Sequence, residues 1–253
     1  MIVFAPLRTR RLAVRLRELP IGDEMALCAL PDTAHEKALT EFLTYCVESA
    51  ETPSDKYIAD PRAWSVSERL LVLAHYQSHT RDDAPDYAVT ETSRLSDYLD
   101  MSRDIASAPS FSVEGDEWTV QPLTGAMAEA IETLQLEAAV DANGHEHWLI
   151  GVMAAQLVRT GESPPDAIAE PAQYIEYLRL RMQILRKLPS SVAGELYARF
   201  RSAHEEMSQF FRVWIDNQGI IVLPKEAGAP IAPARFLVHS CVSELARALS
   251  GKQ

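Results

Sequence analysis

The sequence predicts a mainly α-helical fold: a helical bundle with small peripheral β-hairpin and sheet elements. Three observations predict it. Apolar residues recur at spacings of three and four along most of the chain, as on one face of a helix. Segments with strict alternation are few and short. Ten glycines in 253 residues are too few for a Gly-rich nucleotide fold or a loop-rich all-β protein.

The longest helical signal runs from Pro171 to Asn217. Tyr174, Ile175, Leu178, Met182, Leu185 and Leu188 form one stripe, and Pro171 suits a first turn. Pro189 stops this helix, and Ser190 or Ser191 caps the next. Val192, Leu196, Phe200, Met207, Phe211 and Trp214 continue as a second stripe, so an antiparallel helical hairpin is expected.

From the start of the chain, Leu12, Val14 and Leu16 alternate with Ala13, Arg15 and Arg17, which predicts a strand with one basic face. Leu19 to Gly22 is a turn, and a helix is expected from Asp23 to Leu30. Ala38, Leu39, Phe42, Leu43, Cys46 and Val47 predict a second helix, and Glu51 to Arg62 a loop. Ser65-Val66-Ser67-Glu68 is a capping box opening an apolar helix through Tyr76. Arg81 to Asp86 ends it, and Leu95, Tyr98 and Leu99 suggest a short helix.

Phe111–Val113 and Trp118–Val120 flank a Gly115-containing turn, which predicts a β-hairpin. Met127, Ile131, Leu134 and Leu136 predict a helix, Asp141 to Gly144 a break, and Trp148 to Val158 a deeply buried helix. Gly161 to Pro165 reads as a loop, Gly219 to Leu223 as a short strand, and Val238 to Leu249 as a closing helix. A phrase of strand, Leu-containing turn, Gly and helix occurs twice, at Val14–Gly22 and at Trp118–Gly125. It suggests a boundary near residue 105: residues 1–105 with the first strand and helices, residues 106–253 with the β-hairpin, helices and long helical hairpin. One continuous domain is the alternative.

Apolar residues make up 47% of the chain, enough for a real core. The net charge of −12 opposes general binding of nucleic acid or anionic membrane. The charge is uneven, because residues 1–22 hold five arginines against Glu18 alone. No apolar run approaches the roughly 18–20 residues of a membrane span, and no signal-peptide core is visible. Cys28, Cys46 and Cys241 are odd in number and far apart, as expected of free buried thiols in a reducing cytoplasm.

The chain spells out no catalytic chemistry. Gly-x-Ser-x-Gly, Walker A, Gly-x-Gly-x-x-Gly and His-Glu-x-x-His are absent. His145 and His147 would point about 200° apart on a helix. His75 and His79 share a helical face but lack an identifiable third ligand. The aspartates at 82, 83 and 86 lack the ligand order of an EF-hand. No catalytic residue, cofactor or metal site is therefore expected.

Val14–Gly22, Pro61–Arg69, Trp118–Gly125, Val222–Lys225 and Pro233–Phe236 together resemble tail-morphogenesis proteins of tailed phages, notably Mu-like siphophages and prophages. They are more distantly similar to the baseplate-hub assembly family of contractile-tailed phages. The resemblance covers most of the chain and rests on structural phrases. It implies a non-enzymatic tail or baseplate protein, an assembly factor or minor structural component. The implied partners are the tape-measure or baseplate-hub protein, met in the host cytoplasm during assembly or in the virion tail. The partner surface expected from the residues is the basic strand with Arg8, Arg10, Arg11, Arg15 and Arg17. The alternative is a helical binding or regulatory module of prophage or bacterial origin.

Overall fold

The structure is a computed structural model that describes residues 2–52, 58–104, 107–137 and 144–251. The expected break at 141–143, the middle of the loop at 53–57 and the boundary at 105–106 lie outside the described residues.

Leu7–Arg8 (β1) and Ala13–Leu16 (β2) form an antiparallel pair. Val14 and Leu16 are buried while Arg15 is exposed, as the period-two pattern requires. Helices Ile21–Cys28 (α1) and His35–Cys46 (α2) follow, and Val47–Glu51 (β3) pairs back onto β2. The sheet order is β1-β2-β3. Pro61–Ala63 is a 3-10 turn before Val66–Thr80 (α3), whose Ser65–Glu68 capping box is closed in both directions. A small hairpin, Ala88–Thr90 (β4) with Ser93–Arg94 (β5), and the 3-10 turn Leu95–Asp97 complete this half.

The topology then recurs. Ser110–Val113 (β6) and Asp116–Val120 (β7) make a hairpin whose turn residues Glu114 and Gly115 both have positive φ, 51° and 84°. Two positive φ values match the twist of a tight two-residue turn, and glycine takes the second at no steric cost. Helices Gly125–Glu137 (α4) and Gly144–Gln156 (α5) follow, and Leu157–Arg159 (β8) pairs onto β7. The order is β6-β7-β8, the same ββααβ path as β1 to β3.

The correspondence reaches single bonds. Each second helix runs into its strand without a loop. Arg17 N donates to Cys46 O at 2.8 Å, and Gln121 N donates to Gln156 O at 2.9 Å. Leu16 pairs with Val47 as Val120 pairs with Leu157. Leu19 and Leu123, each three residues further on, are both buried.

Pro171–Arg186 (α6) and Ser190–Glu206 (α7) come next, then an antiparallel pair, Arg212–Asp216 (β9) and Gly219–Leu223 (β10). The 3-10 turn Val238–Cys241 and the helix Glu244–Leu249 (α8) end the described chain. One hydrophobic cluster runs from Leu7 to Ala246, centred on large buried rings such as Trp64, Trp148, Phe42 and Phe200.

Five expectations are corrected. The fold is not a mainly helical bundle with minor β elements. It is mixed α/β, 46% helix and 18% strand, with eight α-helices and four small sheets among the described residues. The second long helix does not reach Asn217: it ends at Glu206, and Trp214 lies on β9. The two long helices do not pack as a hairpin. α6 packs on α4 and α5, while α7 lies on β6 and β7. The shared cause is that short apolar or β-branched runs next to a helix satisfy both periodicities, and a short turn fixes connectivity without fixing which face finds which partner. The helix expected through Val158 likewise stops at Gln156, and the one expected from Val238 is split at Val242.

Candidate functional site

The five arginines expected to bind a partner divide into two groups. Arg8 and Arg15 project from the outer face of the first sheet, opposite buried Leu7, Val14 and Leu16, and Arg17 is exposed just beyond β2. Across the sheet, Arg15 pairs with Ser49 and Ala13 with Glu51. Arg17 Nε donates to Tyr45 O at 2.8 Å.

Arg10 and Arg11 sit instead at the hairpin tip, beside a cleft. The Arg10 backbone N–H donates to Asp104 Oδ2 at 2.8 Å, and its side chain is exposed. Arg11 Nη1 meets Glu68 Oε2 at 2.5 Å, and Nη2 donates to Ala63 O at 3.3 Å. Glu68 is 1% exposed. Its Oε2 also accepts the capping bond from Ser65 N at 2.8 Å, while burial raises the pKa of the carboxyl against the pull of Arg11.

The cleft of ≈ 550 Å³ lies between the two ββααβ units, with Glu68, Gln121, Thr124 and Met127 in its walls. A second hollow of ≈ 350 Å³ shares Ala63, Gln121, Thr124 and Met127 with it and extends over Pro164, Pro165 and Ile168. The floor is fixed where the units meet. Val66 N donates to Leu123 O and Gly125 N to Trp64 O, each at 2.9 Å, in a short antiparallel bridge.

Three polar groups here lack partners. Glu68 Oε1 and Asp104 Oδ1 are buried without a hydrogen bond. Gln209 is 5% exposed, lines both the main cleft and a ≈ 40 Å³ pocket beneath it, and no hydrogen bond from its side-chain amide reaches a described residue. Gln209 precedes Phe210, whose φ is +57°. Phe211 N donates to Gln209 O at 2.5 Å, which closes a three-residue turn of the strained, positive-φ kind. Such a conformation in a bulky residue costs about 1–3 kcal/mol. It is held by Phe210 N donating to Arg103 O at 3.0 Å and by Asp100 N donating to Phe210 O at 2.8 Å.

The other constellations have structural occupations. His75 Nε2 donates to Ala5 O at 2.7 Å. His79 Nδ1 donates to His75 O at 2.8 Å and its Nε2 accepts from Ala5 N at 3.3 Å, so the lone pair a metal would need is committed. His147 is buried, with Nε2 2.9 Å from Ile131 O, while His145 is exposed. Among the described residues no group of three or more His, Cys, Asp or Glu is placed to hold a metal ion. Asp83 and Asp86 order their own loop by accepting from Ala88 N and Ser96 N, each at 2.7 Å. All three cysteines are free and buried, and burial pushes the Cys241 thiol up to about 12.

A buried polar cluster joins the two units. Arg69, 0% exposed, lies 3.4 Å from Glu36 Oε2 and 4.0 Å from Glu129 Oε1, and its Nη2 donates to Thr40 Oγ1 at 2.7 Å. Glu132 accepts from Glu36 N at 2.8 Å and Lys37 N at 3.0 Å, capping the first turn of α2 from another element. Gly125 is required at this point, because a Cβ there would fall 2.1 Å from Arg69 Nη1.

Sequence reasoning found Glu68 only as a capping residue and missed Asp104, Gln121 and Gln209. The Ser-Gln-Phe-Phe run reads as helix, and nothing local marks the positive φ at Phe210.

No family model, curated protein or solved structure matches the chain. Among the described residues no helix is long and apolar enough to cross a membrane.

Proposed function

We propose that the chain is a non-enzymatic phage tail or baseplate protein, an assembly factor or minor structural component acting through protein–protein contacts. Its partner in this reading is the tape-measure or baseplate-hub protein, met in the host cytoplasm during assembly. The support from sequence is the set of phrases that resemble those of tail-morphogenesis proteins. The observation that carries the reading is the outer face of the first sheet, where Arg8, Arg15 and Arg17 are exposed together on a chain of net charge −12. No ion pair holds any of the three among the described residues. Guanidiniums outside any ion pair against an acidic background favour an acidic patch on another protein and set its orientation.

The test is co-expression with the tape-measure and baseplate-hub proteins of the same phage, followed by size-exclusion chromatography. The wild-type chain co-elutes with one of them. Combined Arg8→Glu, Arg15→Glu and Arg17→Glu substitutions weaken that complex by about 100-fold, at about 1 kcal/mol per reversed charge. Arg199→Glu, on the exposed side of α7, leaves it intact. Failure of the wild-type chain to bind either protein removes the reading.

A further inference from the structure

We propose that the trough between the two ββααβ units is a binding site for an extended peptide segment of another protein, held by the Gln209 amide and the Arg10 guanidinium. The proposal goes beyond the tail reading and does not rest on it.

The first argument is unused bonding capacity. Gln209 is 5% exposed, yet no described residue takes a hydrogen bond from its side-chain amide or gives one to it. Its amide nitrogen and oxygen are not sealed from solvent as Glu68 Oε1 is, so they open onto the cleft with their donor and acceptor capacity unused. This one lies where the ≈ 550 Å³ cleft meets the pocket beneath it, and the strained turn at Phe210 fixes its place. Backbone strain of this kind gathers at ligand sites. Glu68 Oε1 and Asp104 Oδ1 are by contrast sealed behind the same walls.

The second argument is chemical selection among ligands. The groups open to a ligand are one primary amide and the exposed Arg10 guanidinium. A nucleotide or other multiply charged anion would approach the Glu68 and Asp104 carboxyl groups in the same walls and is disfavoured. A peptide meets both open groups. Its N–H and C=O pair with the two ends of a glutamine amide. An acidic side chain of the peptide reaches Arg10. The adjoining hollow, walled by Met127, Pro164, Pro165 and Ile168, takes an apolar side chain. The two hollows, ≈ 550 and ≈ 350 Å³, match the size of ordinary ligand clefts, about 300–1,000 Å³.

The test is binding of a positional-scanning library of blocked hexapeptides, acetylated at one end and amidated at the other, read by fluorescence anisotropy. The library contains no tail protein, so its outcome is separate from that of the co-elution experiment. The wild-type chain selects an acidic residue at one position and leucine, isoleucine or methionine at another. Gln209→Ala binds the selected peptides about tenfold more weakly, the loss of a buried amide's hydrogen bonds. Arg10→Ala abolishes the acidic preference and keeps the apolar one. Gln209→Glu has the same size but no N–H donor, and it shows the same loss should Gln209→Ala not fold. The proposal is overturned by an absence of selection in the wild-type chain, by unchanged binding in a folded Gln209 variant, or by displacement of the peptide by micromolar inorganic phosphate.

Discussion

Glu132 carries a conflict that a single residue can expose. Its two oxygens cap the first turn of α2, a place where a negative charge is favoured. Burial and the neighbouring Glu36 outweigh that, and its pKa rises from 4.5 to about 7. Glu36 and Glu129 are raised as well, chiefly by burial, and face the same guanidinium of Arg69. A carboxyl with a raised folded pKa holds its proton more tightly in the fold. Its contribution is therefore complete below pH 4.5 and is lost as pH climbs towards 7. The ceiling on that contribution is about 3 kcal/mol. His35 lies close by and is lowered mainly by burial, so it titrates with the opposite sign. Comparison of one variant with wild type isolates Glu132 from it. His75, His147 and His204 are lowered by burial too, so the difference between the two chains carries the test: in urea unfolding, wild type should lose stability relative to Glu132→Gln between pH 4.5 and 7. Parallel slopes would assign the titration to another group. None of this was legible beforehand, because Arg69, Glu36 and Glu132 come from three helices far apart in sequence and read singly as ordinary helix-surface charges.

Elements were legible where their own residues carry local chemistry. The Ser65–Glu68 box, the Glu114–Gly115 turn and the Val14–Leu16 alternation all appear where expected. They failed where a helix passes straight into a strand, at Cys46/Val47 and Gln156/Leu157, because no glycine, proline or polar run marks the change. The stripes of α6 and α7 were visible, but a stripe says only that burial occurs, not against what. The same contrast sets the next expectation. Ser65 Oγ accepts from Glu68 N at 3.2 Å and Glu68 Oε2 from Ser65 N at 2.8 Å, so Ser65→Ala removes one half of a reciprocal cap. The cost should be about 1 kcal/mol in urea unfolding, a shift of about 2–4 °C in melting temperature. A change within about 0.3 kcal/mol, the scale of additivity error, would mean that Arg11 and not Ser65 orders the start of α3.

At the scale of the whole molecule the question is whether two similar halves behave as two bodies. Repeated topology alone would allow each ββααβ unit to fold by itself, as the phrase repeated at Val14–Gly22 and Trp118–Gly125 suggested. The bonds between the halves argue otherwise. Glu132 of the second unit caps α2 of the first, and Arg69 of the first lies against Glu129 of the second. Tyr98 Oη donates to Ala232 O at 2.7 Å, Lys225 N to Asp97 O at 2.9 Å, and Gln77 Nε2 to Ser240 Oγ at 2.6 Å. Severing the chain after residue 104 would take from residues 1–104 the Glu132 cap of α2, the Glu129 neighbour of Arg69 and the apolar face of α4 that packs on α2 and α3. Burial of that shared face supplies a large share of the roughly 5–15 kcal/mol that a whole domain commands. Residues 1–104 expressed alone should therefore lack fixed tertiary structure, with weak near-ultraviolet circular dichroism. In the intact chain, the slowest-exchanging amides of α3 and of α5 should report the same opening free energy by hydrogen exchange, since both open only with the shared core. A folded 1–104 fragment, or opening energies separated by more than about 2 kcal/mol, would make the trough between the units a hinge and not a preformed groove.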